Sequence, residues 1–151
     1  MRDVKGQVQR FPQKTVTEKI IKAFYAVYNG LGPGFLEKVY ENALVIELRE
    51  AGLEPTQQKP ITVSYRGQIV GEYFADIVVN DSIVLELKTV QNLNEDHAAQ
   101  LINYLRATRF ELALLLNFGP KAQFRRILLT KEYKHADSGQ IDQCQSVKIG
   151  G

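Results

Sequence analysis

An α/β (α+β) fold, a mixed β-sheet flanked by helices in the order ααβββαββ, is what this sequence predicts, and three observations predict it. Apolar residues recur at helical spacing from Val16 to about Ala51. Between Ile61 and Lys88 the period drops to two, with turn residues at two points. Beyond that, one more helical stretch precedes two short apolar runs. A helix between strands permits a parallel crossover and hairpins supply antiparallel pairs, so the sheet is mixed.

Thr15 and Glu18 stand at capping-box spacing, and Val16, Ile20, Ala23, Phe24 and Val27 follow at helical intervals, predicting a first helix to about Tyr28. The segment NGLGPG, Asn29 to Gly34, breaks it. A second helix is expected from Phe35 to Ala51 with Leu36, Val39, Ala43 and Ile46 along its apolar stripe, ended by Gly52. ITVSYRG alternates, turns near Arg66 and Gly67, and continues through IVGEYFADIVV, NDS and IVLELK, which reads as a three-stranded meander. Asn94 opens a helix to about Thr108, with Asp96 favouring its positive end and Ala98, Leu101, Ile102 and Leu105 facing the core. Leu112 to Phe118 and Phe124 to Leu129 complete the strands.

With 151 residues, 44% apolar and 24% charged, the chain is the size of one domain and buries roughly two thirds of its unfolded surface without needing a disulfide or structural metal. The domain is expected over 14–133, with 1–13 and 134–151 as flexible polar tails. Cys144 is the only cysteine, which favours a reducing, cytoplasmic setting. The sequence has neither a membrane-spanning apolar run nor the apolar core of a signal peptide. A net charge of +2 names no partner. Arg106 with Arg109, and Lys121 with Arg125 and Arg126, are local basic clusters suited to phosphate contact or to an ordinary solvated face.

Within the meander, Glu86 and Lys88 share one face of a strand while Leu85 and Leu87 face the opposite layer. Asp76 sits in the apolar strand FADIVV, where an unpartnered carboxylate costs several kcal/mol or shifts its pKa. Asp76 reaches the face of Glu86 only if paired positions sum to an even number, which centres the turn on Asp81 and demands an odd-length loop or a bulge at Asn80, Asp81 and Ser82. Two converging carboxylates make a hard oxygen site for Mg2+ or Mn2+, and the Lys88 ammonium can orient a water and offset phosphate charge. For an isolated E-x-K, a structural salt bridge is the commoner arrangement. His97, Gln100 and Tyr104 form one polar helical stripe, suited to a water or a phosphate and equally to amphipathic decoration. Glu37, with Tyr40 three residues on, starts the second helix, where it can serve the helix dipole or add a third ligand.

Taken together, Gly34, Glu37 and Tyr40 in GFLEKVY, then FADIVV, ELK and HAAQLINYL, resemble the GxxExxY proteins, which are similar to PD-(D/E)XK nucleases. The resemblance runs from about Phe24 to Leu128 and implies a restriction-endonuclease-like fold and a metal-dependent nuclease. It implies that Asp76, Glu86, Glu37 and the carbonyl of Leu87 hold Mg2+ or Mn2+, that Lys88 positions the attacking hydroxide, and that Gln100 and Tyr104 match the Q-x-x-x-Y of the RecB-like branch. That branch often carries a metal-binding histidine on the early helix, whereas no histidine precedes His97 here, so Glu37 takes its place, or Glu47 if the helix faces otherwise. The implied partner is nucleic acid, DNA foremost, with a homodimer or further subunit supplying sequence specificity. The alternative is a nuclease-fold module retained for binding nucleic acid or protein without catalysis.

Overall fold

The computed structural model describes residues 13–136 and 148–150. Helix α1 covers Lys14–Leu31 and α2 Glu37–Glu50; strands β1, Pro55–Tyr65, β2, Gln68–Val79, and β3, Ile83–Lys88, form the meander. Helix α3, Glu95–Arg106, crosses to β4, Leu112–Phe118, which is followed by β5, Ala122–Leu128, α4, Lys131–Ala136, and β6, Lys148–Gly150. The strands lie in sequence order across one sheet. β3 and β4 are parallel and every other neighbouring pair is antiparallel. The mixed α+β architecture and the order ααβββαββ expected for residues up to Leu129 are what the chain adopts.

The sheet is covered on both faces, which is why β4 is buried along its whole length. On one face α1 and α2 bring Ile20, Phe24, Tyr40, Leu44 and Leu48 against Ile77, Leu85, Leu87, Leu114 and Leu116. On the other, α3 brings Ala98, Leu101, Ile102 and Leu105 against Val78, Val84, Ala113 and Leu115. The periodicity of α3 therefore identified its buried face correctly.

The periodicity of α2 did not. Its buried residues are Tyr40, Glu41, Leu44, Val45 and Leu48, while Leu36 and Ile46 of the expected stripe are 81% and 61% exposed. Both stripes have helical spacing, and Tyr40 decides between them. Its ring stacks on Phe118 with centroids 4.5 Å apart, and its hydroxyl donates to the Gly32 carbonyl and accepts from the Phe35 N–H. That bond closes the loop in which Gly34 adopts φ +112°, a conformation that favours glycine, so Gly34 and Tyr40 of the GFLEKVY motif form one structural unit.

Three boundaries also differ. The Thr15–Glu18 capping box is not formed, because the helix begins earlier, at Lys14, with Gln13 at its N-cap and no side-chain cap. The same helix runs past Tyr28 to Leu31, since Asn29 and Gly30 stay helical and the chain turns only at Gly32. β1 starts at Pro55, six residues before the alternating pattern becomes visible at Ile61. Past Lys134, in the stretch expected to be a polar tail, α4 extends to Ala136 and β6 pairs with β5. Residues 1–12 of the other expected tail, and Cys144, lie outside the described residues. Among the described residues, no helix is long and apolar enough to cross a membrane.

Candidate metal and catalytic site

The β2–β3 register is the one the face argument requires. Ile77 pairs with Leu85, Val78 with Val84 and Val79 with Ile83, leaving Asn80, Asp81 and Ser82 as the loop. The loop needs left-handed backbone at Asn80 and Asp81, with φ of 53° and 52°, residue types that tolerate it. Lys59 and Arg109 both reach the Asp81 carboxylate, at 2.5 and 2.8 Å, and tie the loop to β1 and to the start of β4.

One step beyond Ile77 and Leu85 the strands fork, and Asp76 and Glu86 stand at the fork. Leu87 N–H donates to Asp76 Oδ2 at 2.8 Å, and Asp76 N–H donates to a Glu86 carboxylate oxygen at 3.4 Å. Each carboxylate thus replaces the backbone acceptor that a continued ladder would have supplied. Pairing to β1 is interrupted at the same place, passing from Gln57↔Ile77 to Lys59↔Ala75. Ala75 belongs to the α3 side of the core and Ile77 to the α1–α2 side, so the strand turns over at Asp76.

Burial raises the pKa of Glu86 to about 8, and the neighbouring Asp76 charge adds to the shift. Asp76 is raised as well, chiefly by burial; the Leu87 N–H opposes this, the Glu41 charge adds to it, and Gln58 and Lys88 pull it down. Lys88 draws both carboxylates toward ionisation, yet it belongs to none of the ion pairs found among the described residues. The simple salt-bridge account of E-x-K is therefore not the arrangement present.

Glu37 stands at the exposed first turn of α2, close enough to raise Glu86 electrostatically. Glu47 lies ten residues further along the helix, roughly 15 Å along the axis at 1.5 Å per residue. Between them the structure places a residue that sequence reasoning missed. Glu41 is 4% exposed, accepts from Lys38, Gln57 and Gln58, and acts on Asp76. A carboxylate on the stripe Tyr40, Leu44 and Leu48 was a usable signal, but only once that stripe is taken as the buried one.

On α3, Gln100 donates to the Tyr104 hydroxyl at 2.7 Å, and the Tyr104 ring stacks on Tyr73 with centroids 3.3 Å apart. Tyr73, also missed, comes from β2 three residues before Asp76; burial and the Glu86 charge push its phenol up, so it stays protonated. Among the described residues its buried oxygen has no hydrogen-bond partner. His97 has a different job. Its Nδ1 accepts from Asn94 N–H and its own N–H donates to Asn94 Oδ1, a reciprocal cap on α3.

Beside Lys88, fully buried Asn117 grips the chain leaving β3: its Oδ1 accepts from Val90 and Gly119 N–H, and its Nδ2 donates to the Val90 carbonyl and to Gln123. Gly119 is needed here, because a side chain would run into the Val90 carbonyl. A lone asparagine in LALLLNF was the legible sign of this clamp. The basic clusters are partly engaged elsewhere, Arg109 on Asp81 and Arg125 on Glu95.

Two neighbouring carboxylates, both raised by burial and Glu86 further by the Asp76 charge, suit a hard divalent cation, which would relieve that cost. Among the described residues no three His, Cys, Asp or Glu side chains gather closely, so Glu37 does not join Asp76 and Glu86 in one cluster. A family model described as the PD-(D/E)XK nuclease superfamily matches residues 14–127. No curated protein matches the chain.

Proposed function

Because the chain belongs to the PD-(D/E)XK nuclease superfamily, we propose that it is a divalent-metal-dependent nuclease using Mg2+ or Mn2+ to hydrolyse phosphodiester bonds, with DNA as its substrate. The observation that carries this reading is the Asp76–Glu86 pair, held at the strand fork with both carboxyl pKa values raised by burial and Lys88 two residues on. Asp76, Glu86 and the carbonyl of Leu87 would hold the ion, and Glu37, which does not gather with them closely, would contribute through a water. The ion, when bound, neutralises phosphate charge and lowers the pKa of an attacking water. Lys88 orients that water and offsets charge on the phosphate. Gln100 and Tyr104, already hydrogen-bonded to each other, orient the substrate backbone.

Gly34, Glu37 and Tyr40 support a place among the GxxExxY proteins, and the Gln100–Tyr104 spacing supports the RecB-like branch. A reducing, cytoplasmic setting belongs to the same reading, because Cys144 is the only cysteine of the chain. Sequence-specific cutting would call on a dimer or another subunit.

The test is a cleavage assay on single- and double-stranded DNA and RNA with Mg2+ and Mn2+, beside Mn2+ calorimetry. The native protein should cut DNA and stop on chelation. Lys88→Ala should keep binding Mn2+ but cut on the order of 100-fold more slowly or worse. Cleavage unchanged by Lys88→Ala would sink the mechanism. Asp76-dependent Mn2+ binding without cleavage of any polymer would instead assign the binding-module role.

A further inference from the structure

Gln58 is an anomaly in the middle of β1. Its φ is +52°, a left-handed conformation that residues with side chains rarely adopt and that favours glycine, asparagine and aspartate over glutamine. Nothing in the local sequence TQQKP asks for it, and the interruption falls directly opposite Asp76, where the ladder passes from Gln57↔Ile77 to Lys59↔Ala75. The side chain gives the reason. Its Nε2 donates to Glu41 Oε1 at 2.9 Å, on a carboxylate already held by Gln57 at 2.7 Å and Lys38 at 3.0 Å. A primary amide has two N–H donors and one acceptor, so it can serve Glu41 and a second carboxylate at once. The second carboxylate is Asp76, which stands directly across from Gln58 between the Gln57↔Ile77 and Lys59↔Ala75 pairs.

We propose that Gln58 is a positioning residue for Asp76: the left-handed turn at Gln58 carries its amide between the buried Glu41 carboxylate and Asp76, so that a neutral bridge separates the two charges and aims Asp76 at the fork with Glu86. At Asp76 the backbone ladder is interrupted on the β1 side and ended on the β3 side, which leaves side-chain contacts to fix the carboxylate. Leu87 N–H holds one oxygen, and Gln58 faces the group from the opposite strand. Glu41 acts through Gln58 as the fixed end of the bridge. The role rests on the metal-dependent reading of the same site.

The experiment uses Gln58→Gly in the full chain. Glycine accepts the left-handed backbone without strain and removes the side chain with its amide, while Glu41 keeps Gln57 and Lys38, so fold and positioning separate. Two quantities are read: the thermal midpoint in chelator and the Mn2+ dissociation constant by calorimetry. The expected result is a midpoint equal to or above the native one with Mn2+ binding weakened about tenfold or more, the usual scale for losing a group that orients a metal ligand. Should Gln58→Gly not fold, Gln58→Asn decides with the same readings, since asparagine tolerates the conformation but its amide stops one methylene short. Mn2+ affinity within about twofold of native in the folded variant overturns the proposal, as does a native protein that binds no Mn2+. Native Mn2+ binding without nucleic-acid cleavage removes the nuclease reading alone, and the Gln58 comparison still stands.

Discussion

Replacing Glu86 by glutamine should make the metal-free protein more stable at alkaline pH and unable to use the metal. Glu86 has a folded-state pKa of about 8 against an ordinary value of 4.5, because burial and the Asp76 charge disfavour its ionised form. The unfolded chain therefore releases this proton first, and the native protein loses stability as pH rises from about 4.5 to about 8. At about 1.4 kcal/mol per pKa unit the whole shift would amount to roughly 5 kcal/mol, and partial exposure of Glu86 reduces the expected loss to about 2–5 kcal/mol. Glutamine keeps a side-chain oxygen to accept the Asp76 N–H and never acquires the charge. Urea unfolding in chelator at pH 5, 7 and 9 should then give variants of nearly equal stability at pH 5, with glutamine ahead by about 2 kcal/mol or more at pH 9. Adding Mn2+ at pH 7 should stabilise the native protein and release a proton, visible as a buffer-dependent heat, while leaving Glu86→Gln unmoved. A stability difference that does not change between pH 5 and 9 would refute the burial argument.

Asp76→Asn and Asp76→Ala should both lose the Mn2+ heat and cleavage, but urea unfolding should separate them: alanine leaves Leu87 N–H without its acceptor and costs about 1–3 kcal/mol more, whereas asparagine retains an oxygen there. His97→Ala should lower stability by about 1 kcal/mol through loss of the α3 cap and leave cleavage at 25 °C unchanged; a cleavage loss beyond tenfold would place His97 in the site instead.

Much of this protein is legible along the chain because the relevant physics is local. Period-two alternation fixes which residues of IVLELK share a face, and once Asp76 is required to pair with Glu86 on that face the loop must centre on Asp81, where the register puts it, since slipping one residue turns every side chain over. Helical spacing likewise identified the buried face of α3. Where two patterns of equal period coexist, local information runs out. On α2 both Leu36–Val39–Ile46 and Tyr40–Leu44–Leu48 satisfy the helical period, and the choice was made by Phe118, far along the chain, stacking on Tyr40. That choice also buried Glu41 and so brought an unexpected carboxylate to the site.

The sequence by itself determined the order of the first eight elements and singled out Asp76, Glu86 and Lys88 as candidates. Only the tertiary structure decided how that set is held: the fork where backbone pairing stops, the left-handed Gln58 that bonds to Glu41 directly across from Asp76, and the clamp of Asn117 beside Lys88. The physical reason is that a side chain's facing is set by its own strand or helix, whereas its burial, its charge state and its hydrogen-bond partners come from residues distant in sequence that arrive only when the sheet and helices close on one another.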